Sequence, residues 1–370
     1  MPGSHLDSLV RNFRAGRIGA LARAISIIED ERKGYDTLAR ELLGGPPAAR
    51  RTGFTGPPGA GKSSLLTAAT ETYRSDDERV GVVAVDPTSP YSGGALLGDR
   101  IRMNDLATDP GVFIRSMATR GSLGGLAGAT REALDLIDAF GFERILVETV
   151  GVGQTELEIV SAADTVVVVL VPESGDSVQA MKAGLMEIAD IFVVNKADRP
   201  GADRLARDLR QALRLREEVV TRPAAGHHGV DLTSVRVRRN EATEGGDRSG
   251  LEPDAPASRR PARKSPRKDE TKWRVPVLPT VAHRREGVPE LLATITRHRE
   301  WLESSGELRR RRELRAGSRV RDIAERELIG RLKGAGWAEE LIESQVGEIA
   351  AGRVTPYDVA REITDRLLRL

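Results

Sequence analysis

Cysteine is absent from this 370-residue chain. That removes disulfides, thiolate zinc sites, iron–sulfur clusters and cysteine nucleophiles together. Histidine is sparse, and His5, His227, His228, His283 and His298 are scattered rather than grouped into a ligand motif. Neither sign of charge is in excess, with 57 Lys+Arg against 55 Asp+Glu for a net +2. That balance excludes the protein-wide positive field of a dedicated nucleic-acid binder, and no nucleic-acid partner is expected. Long apolar runs are missing too. The most apolar stretch, 165–171, falls far short of the ~20 residues a bilayer-spanning helix needs. The N-terminus has no basic start followed by an apolar core, so a secretory leader is not expected. Arg11, Arg14 and Arg17 precede few acids, as in a transit peptide, but an amphipathic first helix is preferred. The expected setting is the cytoplasm, away from membranes.

What remains is ordinary material for a folded chain: 39% hydrophobic residues, 38 Gly and 19 Pro. Residues 5–43 repeat Leu6, Leu9, Phe13, Leu21, Ile25 and Ile28 at helical steps, until Gly44-Gly-Pro-Pro47 stops them. Short apolar runs follow at 52–55, 80–85, 112–114, 144–147, 165–171, 191–194 and 275–278. They alternate with helical patterns or glycine-rich loops. Strands apolar on both faces predict a mostly parallel, doubly wound α/β sheet covered on each side by helices. Ligands of such sheets bind beyond the carboxyl ends of the strands. From 221 to 272 large apolar residues thin out and a basic run stands at 259–268, so a disordered insertion is expected. The chain after residue 300 reads as helical. The expected organisation is a helical region at 1–46, a nucleotide-binding domain at 47–300 and a helical region at 301–370.

Gly56-Pro-Pro-Gly-Ala-Gly-Lys-Ser63 fits G-x-x-x-x-G-K-[ST] between a predicted strand and a predicted helix, the context a P-loop requires. Gly56, Gly59, Ala60, Gly61, Lys62, Ser63 and Ser64 are therefore assigned to the phosphates. Pro57 and Pro58 lack an N–H, so the donors must come from Gly59 onward. Lys62 is expected at the β- and γ-phosphates and the Ser63 hydroxyl on Mg²⁺.

Asn195-Lys-Ala-Asp198, directly after a predicted strand, fits the guanine-specific pattern N-K-x-D. A carboxylate at Asp198 accepts from both N1–H and the exocyclic amine of guanine, a donor pair adenine lacks. Lys196 would lay its stem across the base. The alternative is a polar turn with Asp198 as a helix cap. Val281-Ala282 stands where such proteins carry Ser-Ala, a departure tolerable if the base contact is mostly backbone. Glu148 opens Glu-Thr-Val-Gly151 in place of the usual Asp-x-x-Gly, and Asp86 and Asp99 supply further hard oxygens for Mg²⁺. Gly151 would meet the γ-phosphate. Gln154 lies three residues past Gly151, too far on to be assigned the attacking water, so slow unassisted turnover is expected.

Five strings extend the pattern: Asp86-Pro-Thr-Ser-Pro, Gly98-Asp-Arg-Ile-Arg-Met103, Arg120-Gly-Ser-Leu-Gly-Gly-Leu126, Glu148-Thr-Val-Gly-Val-Gly-Gln154 and Pro172-Glu-Ser-Gly-Asp-Ser-Val-Gln179. Together they resemble the MeaB/ArgK GTPases, over nearly the whole chain except 221–272. The resemblance implies a GTPase chaperone that gates adenosylcobalamin loading to, and protects, methylmalonyl-CoA mutase or a related acyl-CoA mutase. It implies GTP or GDP with Mg²⁺ as bound species, the cobalamin belonging to the partner, and a homodimer held through C-terminal helices. It also implies that Ser63, Asp86, Asp99 and Glu148 hold the metal, and that 173–182 forms a switch carrying Lys182 as a catalytic cation beside Lys62 and Glu148. A nickel-delivery GTPase, an ArgK-type kinase linked to amino-acid transport, and a nonenzymatic nucleic-acid or scaffold module acting through the 259–268 basic run are the competing readings. The first lacks a visible metal cluster, and the second conflicts with Asn195 and Asp198.

Overall fold

The computed structural model describes residues 3–86, 106–118, 128–149, 159–172, 184–221 and 272–369. Asp99, Gly151, Lys182 and nearly all of the expected insertion lie outside them, as does the Asp86 side chain.

Among the described residues seven strands form one sheet: β1 Arg50–Thr55, β2 Val80–Asp86, β3 Val112–Ala118, β4 Arg144–Thr149, β5 Thr165–Leu170, β6 Ile191–Asn195 and β7 Val277–Thr280. Their order is β3-β2-β4-β1-β5-β6-β7, and every pairing is parallel. The sheet expected to be mostly parallel is wholly so. All seven expected runs became strands. Pro279 sits in β7, an edge strand, where a missing N–H costs no ladder bond on the open side.

The helices are α1 Gly3–Arg14, α2 Ile18–Glu29, α3 Tyr35–Leu42, α4 Lys62–Ser75, α5 Gly128–Ala139, α6 Leu185–Ile188, α7 Ala202–Thr221, α8 Val288–Ser304, α9 Glu307–Gly334, α10 Gly336–Ala350 and α11 Pro356–Leu367. Side-chain alternation sorts each central strand between the two faces. On β5, Val167 and Val169 join a core with Leu65 and Leu66 of α4 and Leu291 of α8. Val166, Val168 and Leu170 join another with Leu209 of α7. Burial on both faces explains why β5 is apolar without interruption.

The three N-terminal helices share a core with the sheet. Leu21, Ile25 and Ile28 of α2 pack with Val83 and Val85 of β2, Ile145 and Val147 of β4, and Leu134 and Ile137 of α5.

Helix α9 docks differently, because none of its residues is buried. Its Arg311, Arg312, Arg315, Arg319 and Arg326 recur at helical spacing on one side. Arg312 and Arg315 both bind Asp164, which Arg299 of α8 also binds at 2.9 Å. Arg311 donates two hydrogen bonds to Asp190, at 2.9 and 2.8 Å. Arg319 pairs with Asp135, Asp322 with Arg131, and Arg326 with Glu132. Burial alone would raise the Asp164 carboxyl, but Arg315 and Arg312 outweigh it and hold the group well below the usual carboxylate range. Burial opposes ionisation of Asp190 as well, and hydrogen bonds from His298 and Arg311 override it. Behind this clasp His298 is fully buried, with Nδ1 2.8 Å from Thr165 Oγ1 and Nε2 3.3 Å from Asp190 Oδ1.

Candidate functional site

Parallel strands deliver their carboxyl ends to one edge of the sheet, and the motifs follow those ends. The P-loop follows β1, Asp86 ends β2, Glu148 lies on β4, Asn195 ends β6 and Val281 follows β7. β1 is central, and the chain crosses it between β4 and β5. That reversal opens the crevice in which doubly wound sheets bind ligands.

Two glycines of the loop answer to geometry rather than to composition. Gly56 has φ 134°, and a Cβ there would lie 2.1 Å from the Val169 carbonyl oxygen. Gly61 has φ 86°, and its Cβ would meet Asn195 Nδ2 at 2.3 Å. A side chain at Gly56 would run into the β5 backbone, one at Gly61 would displace the Asn195 amide, and both would be strained by the left-handed backbone. Helix α4 then opens at Lys62 and aims its N-terminal dipole at the loop. Lys62 is buried, and its Nζ donates to the carbonyls of Gly56 at 2.8 Å and Pro57 at 3.0 Å. The Ala60 N–H donates back to the Pro57 carbonyl at 3.2 Å, so one of the expected phosphate donors is engaged within the turn. Ser64 is exposed on the first turn of α4.

Ser63 Oγ donates to Glu148 Oε1 at 2.8 Å, and both groups are buried. β1 and β4 are neighbours in register, Phe54 opposite Glu148, so the longer glutamate side chain reaches the hydroxyl at the helix start. Hydroxyl and carboxylate oxygens meeting at a P-loop are the hard donor set that suits Mg²⁺. Asp86 ends β2, the strand beside β4. Among the described residues no group of three or more His, Cys, Asp or Glu could hold a metal by itself.

Asn195 is placed where the sequence predicted, but its side chain is spent on protein. Nδ2 donates to the Ala60 carbonyl at 2.8 Å, while Oδ1 accepts from Thr280 Oγ1 at 3.1 Å and the Ala282 N–H at 3.2 Å. It struts the phosphate loop to the segment after β7. Thr280 was not foreseen, because only the β6–β7 pairing sets it opposite Asn195. The Ala197 N–H adds a bond to the Thr280 carbonyl at 3.0 Å. Lys196 takes the left-handed φ of 55°, which turns the chain toward Asp198. Val281 and Ala282 are buried beside this strut. Arg284, also unforeseen, lies 3.6 Å from the Asp198 carboxylate.

Residues 21–336 match the family model described as methylmalonyl Co-A mutase-associated GTPase MeaB. A Pyrococcus abyssi protein whose name carries the word GTPase is 41% identical over 366 residues, covering 98% of this chain and 97% of its own. A Mus musculus protein named methylmalonic aciduria type A homolog, mitochondrial, is 38% identical over 207 residues, covering 52% of this chain and 50% of its own. The crystal structure of a LAO/AO transport system kinase superposes with a TM-score of 0.59 at 24% identity, covering 99% of this chain and 98% of that one. That likeness shows the P-loop fold. The match over most of the chain, the full-length relative and the P-loop geometry agree: the protein is a GTPase and belongs to the MeaB family.

Proposed function

We propose that the chain is a Mg²⁺-dependent GTPase that acts as a G-protein chaperone, gating adenosylcobalamin loading to an acyl-CoA mutase of the methylmalonyl-CoA type and protecting that enzyme. The buried Ser63–Glu148 pair beneath the P-loop carries the nucleotide half of this reading. The family's description and the mouse relative's name support the mutase half.

In this reading the backbone from Gly59 to Ser63 cradles the phosphates, with Gly151 at the γ-phosphate. Lys62 transfers its ammonium from the Gly56 and Pro57 carbonyls to phosphate oxygens, neutralising charge that develops during transfer. Ser63, Glu148, Asp86 and Asp99 would hold Mg²⁺, which would supply neutralisation of phosphate charge. Asp198 accepts from guanine, Lys196 covers the base, and Asn195 keeps the two loops in register. Lys182 is the cation that completes the site when the partner docks, so unassisted turnover is slow. The partner is a mutase, and the C-terminal helices join two copies of the chain.

Calorimetry with Mg²⁺ and GTP, GDP or ATP tests the nucleotide half. Binding of guanine nucleotides alone is expected, and Asp198→Ala should weaken GTP by about 100-fold, the scale on which a buried hydrogen-bonding pocket discriminates. The mutase half is tested by the hydrolysis rate with added methylmalonyl-CoA mutase. Stimulation that vanishes in Lys182→Ala, with the basal rate retained, is the expected result. No stimulation by any acyl-CoA mutase removes the chaperone reading and leaves a GTPase.

A further inference from the structure

A cavity of about 460 Å³ opens where the end of α3, helix α5 and helix α9 meet. It lies at the amino end of the sheet. Arg51 of β1 lines it, five residues before Gly56, and at ~3.3 Å per strand residue that sets it about 16 Å from the phosphate loop. The cavity is therefore separate from the nucleotide site.

Its lining is of two kinds. Leu42, Leu43, Pro46 and Pro47 are apolar. Arg51, Arg131, Arg312, Arg315 and Arg319 are cationic, and the carboxylates that line it are Asp135 and Asp138. Those acids are already committed. Asp138 accepts from the N–H groups of Ala48 and Ala49 and from Arg51, and Asp135 takes both Arg51 and Arg319. Arg51 Nε and Arg131 Nε are buried without a hydrogen-bond partner among the described residues. A buried guanidinium N–H left unpaired costs more than an ordinary missing bond, because the group is charged. Burial also pushes Arg315 and Arg319 below the usual arginine range, in line with cationic charge held away from solvent.

We propose that this cavity is a second ligand site, for a small organic anion with a phosphate or carboxylate head and a short aliphatic tail. The head meets the cationic lining, where five guanidiniums stand with two carboxylates, and a planar fork and an oxyanion are complementary. The tail covers the leucine and proline side chains. The volume is in the range of small-molecule sites. A ligand there touches the N-terminal helices, the sheet and α9 at once, so its occupancy strengthens the attachment of α9.

The test uses the full chain saturated with GDP and Mg²⁺, so that the P-loop is already filled and cannot take the probe. Butyl phosphate and inorganic phosphate are titrated while the thermal midpoint and the heat of binding are followed. Butyl phosphate should bind saturably and more tightly than inorganic phosphate. The double variant R131Q/R319Q should lose about tenfold or more in affinity, the scale of one charge-assisted hydrogen bond. Its basal GTP hydrolysis should be unchanged. Ala316→Phe, which keeps every charge and fills the cavity from α9, should lose binding as well, so the result does not depend on one variant's folding. The proposal is overturned if butyl phosphate gives no saturable response, if it binds no better than inorganic phosphate, or if both variants bind it as the wild type does.

Discussion

At the residue scale, the phosphate loop depends on two positions that tolerate nothing larger than glycine. Gly61→Ala adds left-handed strain of about 1–2 kcal/mol and drives a methyl into Asn195. The expected outcome is a lower thermal midpoint with GDP affinity down by about tenfold or more, measured by calorimetry. Asn195→Ala separates two roles that the N-K-x-D pattern merges. Because the asparagine is a strut, its loss should weaken GTP binding and the stability of the nucleotide-free protein together, since the Ala60 carbonyl and the Ala282 N–H both lose a buried partner. Guanine selectivity, set by Asp198, should survive. A variant that binds ATP and GTP equally would make Asn195 a reader of the base instead.

At the element scale, α9 is fastened by ion pairs where most helices use an apolar stripe. Asp164 is the centre of that attachment, 2% exposed and bound by three arginines. Asp164→Asn leaves those cations facing a neutral amide and should cost about 3–5 kcal/mol at neutral pH. The pH dependence follows from the depressed pKa values of Asp164 and Asp190. Each contributes stability above the unfolded carboxylate pKa of about 4, and that contribution is lost as pH falls toward the folded value. The gap between wild type and Asp164→Asn should therefore be widest near neutrality and shrink below about pH 4. Trp273 and Trp301 flank His298, with ring centroids 4.7 and 5.7 Å away, so near-ultraviolet circular dichroism reports this end of the molecule directly.

At the scale of the whole molecule, the C-terminal helices leave apolar surface uncovered. Leu314, Val320, Leu328 and Ile329 of α9 and Val346 of α10 are all exposed over about half their surface or more. The proposed second copy would cover them. Sedimentation should find a dimer, and Leu328→Glu with Val346→Glu should yield monomers whose basal GTP hydrolysis is intact. A monomeric wild type would leave that surface to another partner. α10 and α11 pack around a small core of Ala338, Val359 and Ile363, joined by Leu332 of α9 and apart from the nucleotide site.

The sequence by itself determined the sheet and the nucleotide motifs. Uninterrupted apolar strands have few alternatives to a buried parallel sheet, and the spacing from Gly56 to Ser63 within one strand–helix turn is itself the phosphate-loop pattern. Tertiary structure alone decided the contacts between distant segments. Thr280 meets Asn195, Arg284 meets Asp198, and four arginines from α8 and α9 converge on Asp164 and Asp190, across sequence separations that carry no periodic signal. A charge on a helix reads as a solvated face until the sheet edge beneath it is known. Here that edge ends in buried carboxylates, and the arginines above it are the attachment of the helix.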